Sequence, residues 1–162
     1  MKHYVPPKWI GCIPQGSHGS SSIQKKYWKL VSDYIRIHDT EKYGICISCL
    51  RKITYETCQA GHFKSWASCR GYSKWDIQNI FAQCAFCNTG FNSNEVGASF
   101  KENIIQRHGK DRFNYIENLS SYPSEKMEDF VIVDKMRAIV ILMENLKQKP
   151  PYYEKIISNK EW

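Results

Sequence analysis

The chain has 162 residues, seven cysteines, 14% aromatic residues and a formal charge of +7. That length suits one domain with at most a small appendage, and the aromatic content excludes a disordered tail or a low-complexity scaffold. A mean hydropathy of −0.53 excludes a membrane protein, and the basic balance asks for an anionic partner: nucleic acid, a membrane surface or an acidic protein.

Residues 1–22 read as an irregular arm, with Pro6, Pro7, Pro14, Gly11, Gly16 and Gly19 and no apolar run long enough for an export signal. No stretch approaches a membrane span. The expected location is therefore the cytoplasm, where disulfides are rare and thiols are free for metal. From Ile23 the pattern turns helical. Ile23, Tyr27, Leu30, Val31, Tyr34 and Ile35 recur at intervals of three and four, which predicts a helix to about Ile37, with Ser21 or Ser22 as its N-cap. It should stop before Tyr43-Gly44.

Cys46-Ile47-Ser48-Cys49 reads as a tight knuckle. Lys52–Gln59 contains Ile53, Thr54, Tyr55 and Thr57 and reads as a strand. Residues 62–66 are its expected hairpin partner, turning at Ala60-Gly61. A Ser-, Gly- and Lys-rich loop follows to about Trp75. Cys84-Ala85-Phe86-Cys87 is a second knuckle entering a helix. Phe100, Ile104 and Ile105 predict another helix that stops at Gly109. After a polar linker, Met127–Lys147 is the clearest helix, with an apolar face of Phe130, Val131, Met136, Ile139, Val140, Met143 and Leu146, ended by Pro150-Pro151.

Charge is uneven. Residues 1–110 hold 15 Lys+Arg and 7 Asp+Glu, whereas residues 111–162 hold 8 and 9. The basic surface therefore belongs to the part that contains the knuckles.

Two C-x-x-C pairs, Cys46/Cys49 and Cys84/Cys87, are separated by 34 residues. Two intervening residues let one turn present two thiolates from the same side, and two such turns complete a zinc tetrahedron. No βαβ pattern surrounds either pair, which argues against a thioredoxin-like redox motif. The pattern predicts a structural Zn²⁺ on these four cysteines. Cys58 reads as a small buried hydrophobe, and Cys12 and Cys69 as incidental.

His62, Asn79 and Asn88 are ordered around the pairs as Cys-pair, His, Asn, Cys-pair, Asn. Taken singly, such residues are commonly structural. In this order they match the ββα-metal (HNH, or His-Me finger) arrangement. Phosphodiester hydrolysis needs a base to activate water, and a neutral imidazole has a suitable pKa. It also needs a cation at the phosphate, and Mg²⁺ takes oxygen ligands while keeping several waters. Asn88 can supply an amide oxygen, and Asn79 can hold the loop that bears His62. His62 could instead serve zinc, but four thiolates already fill the tetrahedron.

Five short segments together resemble the phage NinG (Rap) recombination protein family: Tyr34-Ile35-Arg36-Ile37-His38-Asp39, Cys46 to Cys49, Gln59-Ala60-Gly61-His62-Phe63, Asn79-Ile80, and Gln83-Cys84 to Cys87-Asn88. The resemblance spans about Tyr27 to Gly109. It implies a structure-specific endonuclease that cuts branched recombination intermediates, such as Holliday junctions, with a divalent metal. Endonuclease VII-like resolvases share the knuckles and the Asn after the last Cys, which implies Asn88 as a metal ligand. Where many HNH proteins place an Asp or His ligand before the base, this chain has Gly61. The DNA/RNA non-specific nucleases also have Gly there, in Asp-Arg-Gly-His, with one Asn as main ligand; Gln59 stands at their Asp. The family's Arg-Asp pair appears here as His38-Asp39. Asp39 reads as structural, and Arg36 as a contact for phosphate or for an internal carboxylate.

Lys64, Arg70 and Lys74 interleave with Trp66, Tyr72 and Trp75, a mixture that suits phosphates and distorted bases. A solvated loop anchored by its tryptophans is the equal alternative. Arg107, Lys110 and Arg36 extend the basic set, and residues 2–8 read either as a further DNA contact or as disordered. No base-reading helix stands out, which fits readout of shape.

The expectation is an α+β protein: an arm (1–22), a zinc-stapled HNH-like core with its leading helix (23–112), and a linker with a C-terminal helix (113–162) packed on the core or forming a dimer interface. Its expected activity is Mg²⁺-dependent cleavage of branched DNA, in which a homodimer would supply the two cuts a junction needs. The alternatives are a non-catalytic zinc module that binds DNA or bridges recombination proteins, and an HNH nuclease without branch preference.

Overall fold

A computed structural model of the chain describes residues 21–69, 71–89, 94–121 and 128–154. The N-terminal arm, Cys12 and Arg70 lie outside the described residues, as do the side chains of Ser21, Ser22 and Tyr72. The architecture is mixed α+β: helix α1 (Ser21–Lys42), strand β1 (Cys58–His62), strand β2 (Ile80–Cys84), a one-turn helix α2 (Ala85–Asn88), and helices α3 (Asn94–His108), α4 (Lys110–Glu117) and α5 (Asp129–Glu144). By internal contacts the chain divides into two units, residues 31–126 and residues 1–30 with 127–162.

In the larger unit, α1 continues beyond Ile37 to Lys42. Its stop follows from Gly44, whose φ of +65° suits a residue without a side chain, and Tyr43 N–H and Gly44 N–H both donate to the Asp39 carbonyl. Tertiary packing sustains the extra turn: buried Asp39 accepts the Ala82 N–H on β2 at 2.9 Å. Tyr34, expected on the apolar stripe, is only half-buried, and Ile37 is buried instead.

The strand pairing differs from the hairpin expected at Ala60-Gly61. Those two residues lie inside β1, and the partner is β2, antiparallel, with Cys58 opposite Cys84, Gln59 opposite Gln83 and His62 opposite Ile80. Residues 54–57 form a turn rather than a strand. The Thr54 carbonyl accepts from Thr57 N–H and Cys58 N–H, and the Thr57 hydroxyl accepts from Thr54 N–H. Local hydroxyl–backbone bonds thus take the β-branched run out of the sheet. β2 is buried along its whole length, with Gln83 its one polar side chain.

The sheet positions both knuckles. Ile47 N–H donates to the Ala82 carbonyl, and buried Asn103 on α3 donates to the Ile47 carbonyl at 2.7 Å. The first knuckle is therefore pinned between β2 and α3. The second begins where β2 ends, because Cys84 is extended and Ala85 opens α2. One apolar cluster gathers Ile47, Phe81, Phe100, Ile104 and Phe113, and another surrounds the cysteines with Ile53, Cys58 and Ala82. The stretch read as a linker after Gly109 is instead helix α4 and a 3₁₀ turn, burying Phe113, Ile116 and Leu119.

In the smaller unit, α5 buries Ile132, Val133, Met136, Ile139, Val140 and Met143. Phe130, expected on that face, is 69% exposed and Val131 half-buried. The apolar stripe is displaced by two residues in the first turn, where four consecutive apolar residues left its phase ambiguous. The helix ends at Glu144, and Lys149 Nζ donates to the carbonyls of Met143, Glu144 and Leu146, a cation at the negative end of the helix. No helix among the described residues is long and apolar enough to cross a membrane.

Candidate functional site

Sulfur atoms of Cys46, Cys49, Cys84 and Cys87 all lie within 4.8 Å of one another, with Cys49 Sγ and Cys84 Sγ at 3.7 Å. A zinc tetrahedron with Zn–S bonds of about 2.3 Å has an edge of about 3.8 Å, so the spacing fits this metal. Three of the thiols are buried and Cys49 is exposed. Without a cation the cluster is electrostatically awkward. Burial, then neighbouring thiols, push Cys87 well above the ordinary thiol range, and burial raises Cys46. Cys84 is lowered: burial raises its thiol, but hydrogen bonds from the Cys87 backbone and the other thiols outweigh it. A divalent cation is what would let all four become thiolates. Cys58 and Cys69 stand apart from this set as buried free thiols, Cys58 beside the knuckles and Cys69 in the larger apolar cluster.

His62 closes β1. Its Nε2 lies 3.0 Å from the Lys74 carbonyl, and its ring meets Trp66 edge-on at 5.4 Å. A carbonyl can only accept, so Nε2 carries the proton and the basic lone pair of the neutral ring is on Nδ1. Burial lowers the His62 pKa, with the Lys74 bond acting in the opposite sense, so the ring is neutral at pH 7.

Asn79 is fully buried and clamps the backbone two residues after His62. Its Oδ1 accepts Lys64 N–H at 2.8 Å, its Nδ2 donates to the Lys64 carbonyl at 3.0 Å, and its own carbonyl accepts Phe63 N–H. Asn88, the last residue of α2, donates from Nδ2 to Gln59 Oε1 at 2.7 Å. Its Oδ1 turns toward Gly61. A β-carbon placed on Gly61 would lie 2.3 Å from Asn88 Oδ1 and 1.8 Å from Gln83 Oε1, so only glycine admits both oxygens. Gln83 is buried and donates from Nε2 to Ser48 Oγ at 2.6 Å. The fold thus brings Gln59, Gln83 and Asn88 together over Gly61, directly before His62. Sequence reasoning quoted Gln83 within a NinG-like segment but gave it no role. Its position opposite Gln59 in the β ladder is the signal, and it exists only once the register is known.

The basic residues divide. Lys74 lies over the ring of Trp66, which is 40% exposed and packs edge-on against buried Trp75 at 4.6 Å. Lys64 pairs with Glu117 at 3.4 Å. Half-buried Arg107 stacks over Tyr43 at 4.7 Å, and its Nη2 is buried with no hydrogen-bond partner among the described residues. Arg36 is held internally: it pairs with Asp33 at 3.2 Å, donates to the Tyr55 carbonyl and covers the Tyr55 ring, whose hydroxyl also donates to Asp33. Asp39 Oδ1 meets His38 Nδ1 at 2.9 Å, while its other oxygen serves β2.

Comparison with curated proteins and with solved structures returned no match. The family described as Bacteriophage Lambda NinG protein matches residues 17–145, which includes both knuckles, His62, Asn79 and Asn88. The chain belongs to the NinG family.

Proposed function

We propose that this protein is a metal-dependent endonuclease of the HNH type that cuts branched DNA in phage recombination, in the cytoplasm of the host cell. The observation that carries the proposal is the placement of His62 at the end of β1, with Asn88 on the helix that follows β2. Membership of the NinG family supports a role in phage recombination.

His62 Nδ1 takes the proton of a water whose oxygen attacks phosphorus, and the P–O bond to the leaving nucleoside oxygen breaks. Burial keeps the imidazole unprotonated for this step. The Lys74 carbonyl fixes its tautomer and stabilises the imidazolium that forms. Asn79 holds the segment 63–64, and with it the direction of the ring. A hard divalent cation such as Mg²⁺, held through Asn88 Oδ1, would supply positive charge to the phosphate and its leaving oxygen. The donor fits: a neutral amide oxygen, oriented by Gln59 and turned toward Gly61. Lys74, Lys64 and Arg107, with exposed Trp66, are assigned to contacts with DNA, whereas Arg36 is committed to Asp33.

The test is cleavage of duplex and four-way-junction DNA with Mg²⁺ and with EDTA, for the wild type and His62→Ala. Mg²⁺-dependent cutting of the junction, lost in His62→Ala by at least about 100-fold, is expected. Cutting of neither substrate with any divalent metal, alongside salt-dependent DNA binding, would leave the cysteine cluster as a non-catalytic DNA-binding module. Equal cutting of both substrates would remove the branch preference.

A further inference from the structure

We infer that Gln83 is a second protein ligand of the divalent cation, its Oε1 sharing that ion with Asn88 Oδ1. This rests on the nuclease reading above and supplies what Gly61 cannot, an oxygen beside the base from a residue to which the sequence reading gave no role.

Three features support it. First, the two oxygens converge. Each lies within 2.3 Å of one point above Gly61, so they are at most about 4 Å apart. Two oxygens on one octahedral Mg²⁺, each at about 2.1 Å, are separated by about 3 Å in adjacent positions and about 4.2 Å in opposite ones. Second, both amides are oriented from behind. Gln83 spends its NH₂ group on Ser48 Oγ and Asn88 spends its own on Gln59 Oε1, so both carbonyl oxygens face the same space. Metal ligands are commonly aimed by such outer partners, which fix direction and basicity. Third, Gln83 is a long polar side chain, 3% exposed, whose side-chain hydrogen bond is the one it donates to Ser48 Oγ. Two facing oxygens also repel each other until a positive charge stands between them.

Gln83 reaches along the sheet face: β2 places it opposite Gln59, two pairs away from Gly61 and on the same face. A shorter amide would end over the strand, and a carboxylate would add charge to a buried surface already facing an amide oxygen.

The experiment is Mn²⁺ binding to the zinc-loaded full chain, read by electron paramagnetic resonance, with Mn²⁺ standing in for Mg²⁺. Mn²⁺ is a hard ion that does not displace zinc from four thiolates. Zinc content and melting temperature are recorded for every variant. In Gln83→Met, which keeps the length of the chain and lacks the oxygen, affinity should fall about tenfold or more, and the bound Mn²⁺ should carry one additional water in pulsed measurements in D₂O. In Gln83→Glu, affinity should rise above wild type with the water count unchanged. Gln83→Met with wild-type affinity and water count, while Asn88→Ala loses binding, would overturn the inference and leave the nuclease reading intact. If Gln83→Met loses zinc or fails to fold, Gln83→Glu decides: a bound ion with one more water than in wild type overturns the inference. Absence of a Mn²⁺ site in the wild type overturns it as well, and the His62→Ala cleavage assay then judges the nuclease reading separately.

Discussion

Asn79 and Lys64 are joined by a reciprocal pair of hydrogen bonds, side-chain amide to main-chain amide, at 2.8 and 3.0 Å. The pair bridges the start of β2 to the residues that leave β1, across a sequence separation of 15. It does for the segment after His62 what a strand neighbour would do, at a point where the ladder has ended.

Asn79→Ala should therefore be costly. It strands a main-chain N–H and a carbonyl, at about 1–3 kcal/mol for each group left without a partner. Urea denaturation should show a loss of about 3 kcal/mol. Under the nuclease reading, cleavage should fall in the folded fraction as well, because the base loses its support. Asn79→Asp keeps the acceptor for Lys64 N–H but sets a carboxylate against the Lys64 carbonyl, so it should not restore stability.

Stability should fall on mild acidification. Burial, with the charge of Arg112 next, holds His108 down to about 4, against an ordinary value of 6.5, and burial lowers His62 too. The folded state therefore stays unprotonated where the unfolded chain has already taken up protons. Stability is full above pH 6.5 and declines as the pH falls from 6.5 towards 4. The His108 ring is partly solvated, so its share is on the order of 1 kcal/mol rather than the full value of the shift. Denaturation midpoints at pH 7 and pH 5 should differ, and His108→Gln should reduce the difference.

Metal removal should unfold the larger unit. Ile47 of the first knuckle packs in the larger apolar cluster and Ala82 in the one that holds Cys46, Cys84 and Cys87, so without a cation uncompensated thiols would sit against the core. A strong chelator should release one zinc per chain and abolish the cooperative thermal transition of that unit, reversibly on re-addition. Any one of Cys46→Ser, Cys49→Ser, Cys84→Ser or Cys87→Ser should bind zinc at least about tenfold more weakly. Cys58→Ala, which touches the cluster but is outside the ligand set, should retain one zinc per chain.

How much was legible in advance depended on the range of each interaction. The C-x-x-C spacing is a local property of a turn, so both knuckles could be read directly. α1, α3 and α5 could be read from period, since their apolar faces recur within one or two turns. The first turn of α5 could not be phased, because Phe130-Val131-Ile132-Val133 offers an apolar residue in every direction. α4 was hidden because only Phe113 and Ile116 mark its buried face, among polar neighbours.

The sequence by itself determined the residue types of the chemistry: four cysteines for a soft metal, a histidine, and asparagines with amide oxygens. It also determined the order in which they occur, within the stretch that the NinG family matches. Only the tertiary structure decided which strand pairs with β1, because that choice is made across the 17 residues between His62 and Ile80 and is settled by burial of β2. With that pairing came Gln83 opposite Gln59, the two amide oxygens above Gly61, and Lys74 against His62. Each of these contacts joins residues far apart in the chain, where spacing carries no information and packing carries all of it.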